Sequence, residues 1–169
     1  AGANPIQDFP DLGVELKTIP ISPNGQPAEN THVCILLDYL LRGQQFATSN
    51  VLNKLSCVLW LPIEGDTNIP LAMRKFGKSF FWVMNEAERA QIQCDWEEIM
   101  EALVLERNPR ELSALGKYLQ LKPAGKRNNE RQYGFYLRKK FTNTILERFL
   151  TGELEAMQEQ IITSLSPSL

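Results

Sequence analysis

Asp8-Phe9-Pro10-Asp11-Leu12-Gly13-Val14-Glu15-Leu16-Lys17 is the stretch on which the reading of this chain turns. Residues 12–21 read as a strand: Val14, Leu16 and Thr18 alternate with Glu15 and Lys17, and the strict alternation fails beyond Thr18. Side chains two residues apart on a strand share a face, so Glu15 and Lys17 project together and Leu16 is expected to point into the core. A carboxylate arriving from a nearby turn then completes an oxygen-lined pocket suited to Mg2+. Both Asp8 and Asp11 are close enough in sequence to supply it. Lys17 is placed to orient or polarise a water, while the metal lowers that water's pKa and neutralises charge building on a phosphate. An acid-x-lysine pair also suits an ordinary solvated strand face, so the spacing alone leaves both readings open.

Working outward, Ser22-Pro23-Asn24-Gly25 is a turn signal. Residues 32–37 form a second apolar strand, expected to pair with the first as a hairpin or antiparallel neighbour. Residues 57–63 (CVLWLPI) are a continuous apolar run, the mark of a strand buried on both faces, and residues 79–84 (SFFWVM) look similar. A helix is expected over 85–106, with Asn85 as N-cap and Ile92, Trp96, Ile99, Met100 and Leu103 in one apolar stripe. Asn108-Pro109 restarts a short helix. Residues 118–121 and 134–137 read as strands flanking a basic loop. Residues 140–150 and 153–165 read as helices separated at Thr151-Gly152, and the last four residues as a frayed end. This order implies one α/β or α+β domain over residues 1–169, a mixed sheet flanked by helices.

Length and composition fit that picture: 169 residues, 43% apolar and 22% charged. No apolar run approaches the roughly 18 residues that span a bilayer, and the first residues lack the basic start and apolar stretch of a signal peptide. Cys34, Cys57 and Cys94 fit no zinc spacing and read as packed thiols in a reducing compartment. A single histidine, His32, rules out a multi-histidine metal site. The net charge of −2 conceals an asymmetry, because residues 122–140 carry seven lysines and arginines against Glu130 alone. Such a patch can hold phosphate even on an acidic protein, and it can equally be a solvated loop.

The acid-x-lysine pattern with an upstream aspartate is the signature of a large class of nucleases, and the longer run narrows it. Gln7-Asp8-Phe9 followed by residues 12–20 (LGVELKTIP) closely resembles the catalytic strand of the MutH mismatch-repair endonuclease family. The resemblance continues in order through Lys54-Leu55, residues 58–65 (VLWLPIEG), 69–71, 95–100 (DWEEIM), 118–123 (YLQLKP) and 134–142 (GFYLRKKFT), covering residues 5 to about 150.

That resemblance implies a restriction-endonuclease-like fold around a DNA cleft. It implies Mg2+-dependent nicking of the unmethylated strand at GATC sites, in concert with MutL-type and MutS-type repair proteins. It assigns the first metal carboxylate to Asp8 and leaves Asp11 a solvated turn residue. Glu15 becomes the second carboxylate, the Leu16 carbonyl a further ligand, and Lys17 the water-positioning residue. Double-stranded DNA would be met by Lys54, Lys122, Pro123, Tyr136 and Arg138, with Tyr136 sensing adenine methylation. A monomer acting in the bacterial cytoplasm is implied. A restriction endonuclease of similar specificity, or a binding module without cutting activity, are the competing readings.

The chain also departs from the family pattern. Lys122 stands for an arginine, His32 for a phenylalanine, Leu52 for an arginine, Asn50 and Asn53 for histidines, and Ala124 for a lysine. Lysine lacks the fixed bidentate fork of arginine, so reading of the outer G·C pair is expected to relax. The segment from Lys122 to Phe135 is shorter than in the relatives. The family's helical N-terminal arm, which supplies another acidic group and part of the DNA clamp, is expected to be missing ahead of Asp8, with weaker binding and cutting as the result.

Overall fold

Ten regular elements organise the chain in a computed structural model that describes residues 6–37 and 43–166. In order they are β1 (Glu15–Ile21), β2 (Thr31–Ile35), α1 (Asn50–Leu55), β3 (Val58–Glu64), β4 (Phe80–Trp82), α2 (Glu86–Val104), β5 (Leu119–Arg127), β6 (Glu130–Leu137), α3 (Lys139–Leu150) and α4 (Glu155–Leu165). The mixed α/β content agrees with the expected class. The strands form two three-stranded sheets, β1-β3-β4 and β2-β6-β5, rather than one continuous sheet. In the first, β1 runs parallel to β3 and β4 antiparallel to it; the second is antiparallel throughout. Residues 1–5, 38–42 and 167–169 lie outside the described residues, and with the last three most of the tail expected to fray.

The expected pairing of the first two strands does not occur. The turn after β1 forms, with Gly25 N–H donating to Ser22 O at 2.8 Å, but only one isolated bridge, Ile21 to Pro27, follows it. Pro20 and Pro27 have no N–H to continue that ladder. β2 instead pairs with β6, and β1 takes β3 as its neighbour, Glu15 opposite Val58 and Lys17 opposite Trp60.

The inward face of β1 is also the reverse of the one expected. Leu16 is 36% exposed, whereas Glu15 is 3% and Ile19 1% exposed, so Glu15, Lys17 and Ile19 face the interior. In β3, Val58 and Trp60 are fully buried while Leu59, Leu61 and Ile63 are half-buried. One face is closed at Val58 and Trp60 and the other is only partly covered.

α2 follows the sequence closely. Asn85 Oδ1 accepts from Glu88 N–H at 2.7 Å and the Glu88 carboxylate accepts from Asn85 N–H at 3.0 Å, a reciprocal cap. Ile92, Trp96, Ile99, Met100 and Leu103 are all buried. From the same helix, Asp95 accepts from the N–H groups of Tyr118 (2.7 Å) and Leu119 (2.9 Å) and so fixes the start of β5. Gly116, at φ +83°, allows that approach: a Cβ there would lie 1.8 Å from Leu119 O.

The basic segment is a hairpin, not a loop. β5 and β6 run together to a two-residue turn at Asn128 (φ 51°) and Asn129 (φ 66°), the left-handed pair that suits strand twist. At the other end of the chain α3 and α4 break at Thr151–Gly152 as expected. α4 lies against β4, where the Gln158 amide accepts from Phe81 N–H and donates to Phe81 O, both at 2.6 Å.

Candidate active site

The turn before β1 folds the chain back on itself. Phe9 and Val14 exchange backbone hydrogen bonds of 2.9 and 3.2 Å. This brings Asp8 beside the first residues of the strand: its Oδ2 accepts from Leu16 N–H at 3.1 Å, and its own N–H donates to Glu15 Oε2 at 3.1 Å. Asp11 is exposed on the turn itself. Of the two aspartates, Asp8 is the one held against Glu15.

Gln7 fixes that arrangement. Its amide donates to Gly13 O (2.9 Å), to Asn53 O (2.9 Å) and to Ser56 Oγ (3.3 Å), tying the approach segment to both β1 and α1. Ser49 caps α1 by accepting from Leu52 N–H at 3.1 Å, and the helix delivers Lys54 to the site.

Two ammonium groups meet the Glu15 carboxylate. Lys17 Nζ lies 2.9 Å from Oε1, and Lys54 Nζ 3.0 Å from Oε2, with a further Lys54 hydrogen bond to Ile6 O at 2.6 Å. Glu15 and Lys54 are 3% and 7% exposed, so the pair is buried. Burying the acid is tolerable because its charge is compensated and hydrogen-bonded. Lys17 also reaches Val33 O at 3.5 Å, the long limit of a hydrogen bond, and so touches the second sheet. Lys54 thus belongs to the buried cluster and not to an open DNA-facing surface. No sequence spacing reveals that link, because 39 residues separate it from Glu15.

The donor set fits a hard divalent cation. Asp8 is exposed, Glu15 stands behind it, and the Leu16 carbonyl follows Glu15 directly in the strand. Carboxylate and carbonyl oxygens are what Mg2+ selects. Among the described residues no group of three or more His, Cys, Asp or Glu side chains gathers, so two carboxylates and main-chain oxygen are the set on offer.

The remaining expected residues lie mainly on the β2-β6-β5 sheet. Tyr136 is half-buried, and its hydroxyl pKa is raised by burial and by the charge of Glu29. His32 meets its ring edge-on at 5.1 Å between centroids. Burial lowers the His32 pKa, the charges of Lys17 and Lys54 lower it further, and Glu15 opposes them. Lys122 is half-buried and Pro123 exposed on β5, opposite Gly134 and Tyr133. Arg138 turns its guanidinium to the protein's own backbone, donating to the carbonyls of Ser113 (2.9 Å), Leu115 (3.0 Å) and Gly116 (3.0 Å). Cys34 is buried and its thiol is pushed up to about 12 by that burial, in keeping with a packed thiol.

Known proteins resemble the chain across this stretch. The family model described as "DNA mismatch repair enzyme MutH" matches residues 1–95, which include the whole acidic and lysine cluster. Among curated proteins, the DNA mismatch repair protein MutH of Shigella boydii serotype 18 is 42% identical over 162 residues, covering 88% of this chain and 71% of the relative. The MutH proteins of Shigella flexneri and of Escherichia coli strain HS match at the same identity and coverage. No helix among the described residues is long and apolar enough to cross a membrane. On these grounds, the chain belongs to the MutH family of DNA mismatch repair enzymes.

Proposed function

We propose that this protein is a Mg2+-dependent DNA endonuclease that nicks the unmethylated strand at GATC-like sites in methyl-directed mismatch repair. The observation that carries the reading is the Asp8–Glu15 pair, two carboxylates joined through backbone hydrogen bonds and flanked by Lys17 and Lys54, in a chain of this family. Asp8, Glu15 and the Leu16 carbonyl would hold the ion, which supplies stabilisation of phosphate charge and a water of lowered pKa. Lys17 holds Glu15 in place and presents the remaining donors of its ammonium to water or to a phosphate oxygen. Lys54 holds the Glu15 carboxylate fixed in the interior.

Double-stranded DNA would lie across the β2-β6-β5 sheet, with Lys122, Pro123 and the exposed cations of the β5–β6 hairpin along it. Lys54 supports this surface from within the site. Arg138 supports it indirectly, by fixing the carbonyls that precede β5. Tyr136 would distinguish N6–H from N6-methyl adenine by shape in the major groove. Recruitment by MutL-type and MutS-type proteins, action as a monomer and a cytoplasmic setting complete the reading.

The test is nicking of supercoiled plasmid carrying unmethylated, hemimethylated or fully methylated GATC sites, with Mg2+ or with EDTA. Mg2+-dependent nicking that spares fully methylated DNA supports the proposal. Rapid double-strand cleavage without a helper protein would point to restriction instead, and no cutting at any concentration of metal would overturn the enzymatic reading.

A further inference from the structure

Three polar side chains stand abreast on one face of the β2-β6-β5 sheet, and none makes a side-chain hydrogen bond to any described residue. His32 is in register with Tyr136, and Tyr136 with Gln120, so the row crosses all three strands. Cross-strand partners share a face, and here the His32–Tyr136 ring contact shows it directly. Gln120 is 4% exposed, and His32 Nε2 is enclosed with no partner. Gly134 makes the room: a Cβ there would lie 3.2 Å from His32 Nε2 and 3.1 Å from both Ala124 Cβ and Cys34 O. The row borders the catalytic cluster, since His32 feels the charges of Lys17, Lys54 and Glu15.

The Gln120 amide has no hydrogen-bond partner among the described residues, and its polar atoms are not among the fully enclosed ones, so a partner can reach them from outside. Its chemistry says what would satisfy it. A carboxamide carries an acceptor beside a pair of donors. Phosphate offers acceptors alone, and so does the guanine O6/N7 edge. Adenine alone presents an acceptor at N7 beside a donor at N6 in the major groove.

We propose that Gln120, flanked by Tyr136 and His32, is a specificity residue that reads the target adenine, its Nε2 donating to N7 and its Oε1 accepting from the N6–H. This rests on the adenine-containing site proposed above. An N6-methyl group would replace the hydrogen that Oε1 accepts and leave that oxygen buried and unpaired. Methyl discrimination is then shared between Gln120 and Tyr136.

Fluorescence anisotropy of the full chain on duplex oligonucleotides tests this, in EDTA so that no cutting intervenes. Four duplexes are compared: one GATC site, the same site with its adenines replaced by purine or by 7-deazaadenine, and a scrambled site. Wild type is expected to bind the intact site about tenfold more tightly than either analogue. Gln120→Leu and the equally long Gln120→Met should bind the intact site and both analogues alike. Gln120→Glu, an acceptor only, should keep the purine penalty and lose the 7-deazaadenine penalty. Thermal unfolding checks that each variant is folded. A folded Gln120→Leu or Gln120→Met that retains the wild-type penalties overturns this inference alone. A wild type that does not prefer GATC to the scrambled site overturns the site reading and this inference with it.

Discussion

Lys54 Nζ and Glu15 Oε2 lie 3.0 Å apart with both side chains more than nine-tenths buried, although 39 residues separate them in the chain. The pair couples α1 to β1, and it couples folding to the site. Lys54→Met should cost about 3 kcal/mol of stability, because it leaves the Glu15 carboxylate buried with only Lys17 to compensate it. Urea denaturation reads this directly. Glu15→Gln combined with Lys54→Met should recover much of the loss, and a purely additive double variant would show that the pair is not coupled.

Nicking should depend on the same carboxylate for a different reason. Glu15→Gln and Lys17→Ala are each expected to reduce the rate of open-circle formation by about 100-fold or more, the scale seen when one preorganised electrostatic group is removed. Asp11→Asn should leave the rate close to wild type, since Asp11 is exposed on the turn. A large loss with Asp11→Asn would contradict the geometry that brings Asp8, not Asp11, to Glu15.

His32 is the chain's single histidine and therefore a clean reporter of the site. Burial first, then Lys17 and Lys54, place its pKa below 6.5. Because the folded ring binds its proton less readily than the unfolded one, its contribution to stability is complete above pH 6.5 and is lost as pH falls below that value toward the folded pKa. The C2–H proton signal should titrate with a midpoint below 6.5, and Lys54→Met should raise that midpoint. A wild-type midpoint at or above 6.5 would refute the assignment.

Thiol reactivity should rank by burial. Cys94 is exposed, Cys57 intermediate and Cys34 buried, with the Cys34 thiol at about 12. Alkylation at pH 8 followed by mass spectrometry should label Cys94 first and Cys34 only on unfolding. Early labelling of Cys34 in the folded protein would be incompatible with its packing.

Gly116→Ala should be among the most damaging single changes outside the site. The added carbon would meet Leu119 O at 1.8 Å and would have to adopt φ +83°. A loss of about 3 kcal/mol or more is expected by denaturation, with β5 displaced from the Asp95 carboxylate that receives it.

Much of the site was legible because its key residues are close in sequence. The spacing of Glu15 and Lys17 correctly put them on one face. The expectation that Leu16 is the inward side was wrong, because alternation alone is symmetric and only residue polarity favoured it. The burial of Glu15 in place of Leu16 depends on Lys54, whose approach is a tertiary event. The β1–β2 pairing failed for a local reason, the prolines on either side of the turn, and a global one, the availability of β3 and β6. The basic hairpin was under-read: Asn128-Asn129 is a two-residue turn signal that joins the flanking strands. α2 was read well because its cap and its apolar stripe are both properties of one continuous segment.

Gln158 and Phe81 carry a consequence that concerns neighbouring molecules more than catalysis. β4 is the outermost strand of its sheet, and the amide of Gln158 occupies both the N–H and the C=O that Phe81 turns outward. A strand edge left open is a template on which another chain can add by the same hydrogen bonds. α4 therefore terminates the sheet at this point, and Gln158 withholds the Phe81 backbone from pairing with another chain.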